Sequence, residues 1–326
     1  MEERITALCQ NFIENQTVIK KVFRLESSMI YPIAANNLSA NGVTGHEAKL
    51  KECHKIISKN SGAFSYLNGM ITTPFAVNLS MKEDPKAAFD KVARYYDVTK
   101  QYFGSSEYSA LLALQLSDWV SEGDLESVVA RGKELHRLMK EKHPFITGGE
   151  DGVLAGFLAL SEKSNNAMID DMEECYELLK DKFLNKNSVQ TVSHVLSFTN
   201  GSVREKTEHM MELYDMLKAA GRPYDVDYLA TLAAVSVLDD NNEKLRDTIL
   251  EIDEFLSKQK GYGLMGIDKK SRLMHAAMLT ADLYDTAKNA QTPANASAIA
   301  MVVAQEIAIA IAMMLMMAAA VSTTTD

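Results

Sequence analysis

The chain has 326 residues, 47% of them hydrophobic and 24% charged, with a net charge of −10 and an isoelectric point near 5.3. This composition is globular and excludes a disordered chain. Its scattered excess of acids excludes a general nucleic-acid partner, which needs clustered Lys and Arg.

The first ten residues, MEERITALCQ, carry two acids in the first three positions and no long apolar run, so they do not read as a secretory leader. A long amphipathic helix is predicted over 13–24, followed by a shorter and more apolar one over 28–39. The same pair then recurs. Amphipathic helices are predicted over 45–60, 86–102, 124–142, 165–183, 202–220 and 242–260, and apolar ones over 72–82, 107–119, 150–162, 188–198, 226–238 and 268–288. Their openings carry caps: Asp84 before Pro85, Asp124 before Leu125, and Ser202 with Glu205 as a capping box. Short links supply the stops, among them Gly123, Gly148-Gly149, Gly201, Gly221 with Pro223, and Asn241-Asn242.

Two interleaved ladders turn this succession into a repeat. Leu38-Ser39, Leu79-Ser80, Leu116-Ser117, Leu160-Ser161, Leu196-Ser197, Val235-Ser236 and Leu279-Thr280 close the apolar helices at steps of about 40 residues. Lys59, Lys100, Lys140, Lys180, Lys218 and Lys258 close the amphipathic ones at the same step. Each Ser or Thr has a structural reading, a hydroxyl bonding back to the preceding turn. Each Lys suits the carbonyl end of its helix. The expected fold is all-α, a tandem array of about seven helical hairpins over 1–290, either an open α-solenoid or one closing toward an α/α toroid. The apolar helices should form the more buried layer.

Residues 291–326 depart from the repeat. Ala298 to Val321 is interrupted only by Gln305-Glu306, and fifteen apolar residues run from Ile307 to Val321. A membrane span wants about 20 residues with few charges. The expectation is therefore a C-terminal helix buried by protein, within the chain or in an oligomer, with membrane contact through 298–321 as the second reading.

Chemistry-bearing motifs are sparse. Seven histidines include neither H-E-x-x-H nor E-x-x-H, and Cys53-His54 are helix neighbours pointing about 100° apart. Cys9, Cys53 and Cys175 are odd in number and distant in sequence, which reads as reduced thiols in a cytoplasmic protein. No nucleophile elbow, phosphate-binding loop or dinucleotide fingerprint occurs, so no catalytic residue, metal or cofactor is assigned. His194 and His275 lie on apolar helices and are the ligand-contact candidates, against the commoner reading of hydrogen-bonded core histidines.

Several segments carry a resemblance. They are His143-Pro144-Phe145-Ile146-Thr147 leading into LAGFLALS, Ser188 to His194 with VLSF, and Gly261 to Gly266 followed by Arg272-Leu273-Met274. With the Ala/Met-rich end, these resemble the bacterial family known as domain of unknown function 4003. The resemblance implies no activity and transfers no site residue. The leading functional expectation is a non-catalytic scaffold that binds a protein or peptide. Its rivals are an α/α-toroid enzyme using acids such as Glu150 and Asp151, and a membrane-associated adaptor held by 298–321.

Overall fold

The computed structural model describes residues 3–284, apart from 25, 27, 63–64 and 264–265, together with Met314. The described residues contain fourteen α-helices in seven consecutive hairpins. The first members are α1 (Glu3–Val22), α3 (Glu47–Asn60), α5 (Pro85–Phe103), α7 (Leu125–Lys142), α9 (Asn165–Leu179), α11 (Val203–Ala219) and α13 (Asn242–Ser257). The second members are α2 (Ile30–Ala40), α4 (Thr72–Ser80), α6 (Glu107–Trp119), α8 (Glu150–Leu158), α10 (Lys186–Phe198), α12 (Leu229–Ser236) and α14 (Lys269–Leu283).

Two of the three predicted caps form. The Asp84 carboxylate accepts from Ala87 N at 2.9 Å with Pro85 at the first helical position, and Ser202 Oγ accepts from Glu205 N at 3.3 Å. Asp124 makes no side-chain cap and instead pairs with Ser121 Oγ at 2.7 Å. Gly221, at φ 74°, lets Arg222 N reach Leu217 O at 2.9 Å and closes α11. The first helix starts at Glu3, well before the predicted 13, because Ile5, Cys9 and Phe12 continue its buried stripe. A 3₁₀ turn, Val226–Tyr228, precedes α12, so the predicted 226–238 helix is shorter than its apolar run.

The second members are the buried layer. Every residue of α4 and α12 is buried, and so is every residue of α14 from Ser271 through Asp282. The first members bury only one stripe, such as Leu50, Cys53 and Ile57 of α3.

The array closes on itself. Each first member packs on the first member of the next hairpin, and α13 packs on α1. The second members form an inner ring in the same way, with the 3₁₀ turn Tyr66–Asn68 bridging α4 and α6 and with α14 packed on α2. Across the seam, Gln16 Nε2 donates to Tyr262 OH at 3.3 Å. Of the two expected forms, the structure is the closed toroid and not the open solenoid.

The hydroxyl ladder has the structural role read from it at six of its seven places. Ser39, Ser197 and Thr280 bond the carbonyl four residues back, and Ser80, Ser117 and Ser236 the carbonyl three back. Ser161 departs and reaches Phe198 O at 3.5 Å. A third ladder holds the hairpins shut. Lys49, Lys91 and Arg131, about one repeat apart, and His209, two repeats further on, each bond a carbonyl at the end of the inner helix of their own hairpin. At the fifth hairpin the equivalent place is Asp171, which instead holds Lys163 on Ser197 O and Thr199 O.

Candidate functional site

Three features stand out on this frame, beginning with a buried polar cluster between the fourth and fifth hairpins. The Gly148-Gly149 turn opens α8, and Asp151 in its first turn caps it from within, Oδ2 accepting from Gly148 N at 2.7 Å. The other carboxylate oxygen, Oδ1, faces His194 Nδ1 at 3.4 Å, both residues being at most 2% exposed. Neither atom completes a hydrogen bond. Burial pushes the Asp151 carboxyl up to about 7 and the His194 imidazole down to about 3. The contact is therefore not an ion pair near neutral pH. Gln190, one turn before His194, donates to Thr147 Oγ1 at 2.7 Å, leaving its Oε1 unpartnered. Around the cluster, His136 Nε2 meets Gly148 O at 2.8 Å and His143 Nε2 meets Glu173 at 2.9 Å.

Such a pair can share a proton, but as it stands it meets no solvent and so no substrate. Glu150 and Asp151, the acids of the enzyme reading, diverge: Asp151 is interior and Glu150 half-buried.

His275, the second histidine candidate, is also interior, at 1% exposure. Its Nδ1 lies 3.2 Å from Tyr262 OH, the group that meets Gln16 across the ring seam, and its Nε2 has no partner. Burial pushes it down to about 3. His275 thus belongs to the closure of the ring and His194 to the interior cluster; they are two separate places. Nearby, Asp253 is clamped by Arg272 at 2.7 Å and Arg222 at 3.0 Å. Unpartnered buried polar atoms recur on all seven inner helices, from Asn36 on α2, where both amide atoms lack a bond, to His275 on α14. Single-residue reasoning missed this, although pairs such as Thr147 and Gln190, about one repeat apart, were a usable signal.

The third feature is on the rim where outer helices end and inner ones begin. Phe145, in the loop before α8, is 99% exposed, and Leu184, in the loop before α10, is 98% exposed. Beside Leu184 a groove of about 590 Å³ is lined by Phe183, Met211, Tyr214 and Val226, with Lys182 and Asp215 at its polar edge. On the opposite rim a groove of about 640 Å³ includes Lys206. Burial pushes that amine down to about 8. Its donors are committed to Leu196 O, Thr199 O and Thr199 Oγ1, so it closes α10 and is not a free nucleophile.

Cys9, Cys53 and Cys175 are buried and unpaired, with burial raising all three thiols. Among the described residues no group of three or more His, Cys, Asp or Glu is placed to hold a metal ion, and no helix is long and apolar enough to cross a membrane. The expectation for the helix over 298–321 lies outside the described residues except at Met314, which is helical, 5% exposed and part of the core shared with the inner helices.

No curated protein and no solved structure matches the chain. A family model described as "Protein of unknown function (DUF4003)" matches residues 15–308. That span takes in the end of α1 and every helix from α2 to α14, including the Gly148-Gly149 turn, His194 and His275, and the chain belongs to this family.

Proposed function

We propose that the protein is a non-catalytic helical ring, working in the cytoplasm, that binds a protein or peptide at the rim of its fourth to sixth hairpins. The observation carrying this is the pair Phe145 and Leu184, almost fully exposed on the corresponding loops of the fourth and fifth hairpins, with Leu184 on the edge of a groove that Phe183, Met211, Tyr214 and Val226 line. A large side chain on a loop tip gains nothing for folding by standing in water, whereas it supplies an anchor for a partner. Tyr214 and Phe183, set edge-to-face with ring centroids 5.4 Å apart, give the groove a rigid aromatic wall. Three buried thiols without disulfides suit a reducing compartment.

The test is a display library of random peptides panned on the full chain, with recovered binders measured against Phe145→Ser/Leu184→Ser. Both positions are exposed, so the double variant should keep its melting temperature. Loss of binding by tenfold or more supports the rim. Equal binding to the double variant sinks it.

A further inference from the structure

One sector of the ring reverses the sign of the chain. The net charge is −10. Yet on the rim where outer helices end, Lys258, Lys260, Lys269 and Lys270 are all exposed between α13 and α14, and the last turn of α1 adds exposed Lys20 and Lys21. The seam brings these loops together. Gln16 meets Tyr262 OH at 3.3 Å, and Lys20 lies one turn beyond Gln16 on the same face of α1. Lys258 pairs with Glu254 at 2.8 Å and Lys270 with Asp225 at 2.6 Å, whereas Lys20, Lys260 and Lys269 make no ion pair among the described residues. Asp268, the acid in this stretch, is committed to the cap of α14, accepting from Lys270 N at 2.7 Å and Ser271 N at 2.9 Å.

This sector runs on from the groove beside Leu184. Val226 and Lys218 line that groove, the neighbouring Asp225 holds Lys270, and Tyr228 OH meets Ser271 Oγ at 3.1 Å. We propose that the partner of the rim is an acidic polypeptide segment, with one apolar side chain seated in the groove and carboxylates laid over the lysines of the seam. Such a partner presupposes the rim site proposed above and gives its chemistry. The span is short. From α11, which lines the groove, the outer layer passes through α13 to α1, and each step between packed helices is about 8–10 Å. An extended chain rises about 3.3 Å per residue, so ~5–6 residues lead from the anchor to Lys20. Lysine suits the task, since an ammonium on a flexible stem follows carboxylates set at uneven heights. Nucleic acid would favour the planar fork of Arg and exposed rings for its bases. The exposed large apolar side chains among the described residues, Tyr66, Trp119, Phe145 and Leu184, include none between the lysines of the seam. A bilayer, being flat, would leave a groove of about 590 Å³ unfilled.

Random peptides displayed and panned on the full chain test it, with recovered binders measured at low and at high salt and against Lys20→Glu/Lys260→Glu/Lys269→Glu. These lysines are exposed and unpaired, so the triple variant should keep its melting temperature, and the salt series needs no variant at all. Expected are binders with an apolar residue followed or preceded by Asp and Glu within about six positions, weakened about tenfold or more by high salt and by the triple variant. Binders lacking acids, or affinities unmoved by salt or by the triple variant, overturn the acidic partner. If those binders are still lost with Phe145→Ser/Leu184→Ser, the rim site stands and only its assigned chemistry falls. Recovery of no binder ends both. Phosphatidylglycerol vesicles and a single-stranded oligodeoxynucleotide serve as rival probes. Tighter binding of either than of the best peptide, abolished in the triple variant, would give the lysines to a bilayer or a nucleic acid and overturn the proposal.

Discussion

Asp151 keeps its proton in the folded chain to a pH of about 7, whereas the unfolded residue releases it near 3.8. Between those values the folded state binds the extra proton, so this residue's contribution to stability falls as pH rises through the window. His194 and His275 act in the opposite sense. Folded, they stay neutral down to about 3, so their contribution is lost as pH falls from 6.5. Two histidines against one carboxyl leave net acid sensitivity from these three groups between roughly pH 6.5 and 4. Asp151→Asn keeps an acceptor for Gly148 N and removes the ionisation. Its stability relative to the parent should rise by about 2–4 kcal/mol between pH 4 and pH 8, read from urea midpoints. A difference independent of pH would mean that Asp151 titrates like an exposed carboxyl.

Two changes probe single helices and their joints. Arg131 crosses from α7 to the end of α8, bonding Ala159 O at 3.0 Å, Ser161 O at 2.5 Å, Lys163 O, and Asn165 Oδ1 at 3.0 Å. Arg131→Met strands several carbonyls at once and should cost about 2–3 kcal/mol in chemical denaturation, with Arg131→Lys recovering only part because it lacks the planar fork. Gly132, in the middle of the same helix, looks replaceable, since Ala there would ordinarily stabilise by about 1 kcal/mol. Here the sign should reverse. An added Cβ would stand 3.0 Å from Gly156 Cα and 3.2 Å from Ala155 O, and backbone cannot step aside. Gly132→Ala should therefore destabilise by about 1–3 kcal/mol. At this scale the sequence was readable where one place in each unit carries the same residue type, as with Ser39 through Thr280, or where a signal is local, as with Asp84 before Pro85. It was silent on Gly132 because close approach depends on the neighbouring helix. It was silent on Asp151 beside His194 because neither side chain alone reveals which inner helix it will face. It also gave Phe145 and Leu184 no prominence, since a loop Phe or Leu looks the same whether it tucks in or stands out.

For the whole molecule the seam between the first and last hairpins is the decisive joint, and the ladders could not reveal it. The same repeat continues equally well into an open coil, and the groups that close the ring, Gln16, Tyr262 and His275, lie outside both ladders. Six of the hairpin interfaces join segments about 40 residues apart, while the seventh joins ends separated by most of the chain. Contacts of that separation form late, since the loop entropy must be met before they contribute. Tyr262→Phe, which leaves Gln16 Nε2 without this acceptor, should mainly accelerate unfolding and leave the refolding rate within about twofold in stopped-flow measurements. A refolding rate that falls as steeply as stability would place the seam in the folding nucleus instead.

Closure also limits how this gene can change. A linear stack of hairpins can gain or lose a unit at little consequence beyond its length, because each unit leans only on its neighbours. Here each hairpin accounts for roughly one seventh of a turn, so deletion or duplication of one unit would force every remaining interface to a new angle or leave α14 unable to reach α2. Copy number is therefore set by geometry, and variation in length should accumulate in the loops, where Phe145 and Leu184 already stand clear of the ring.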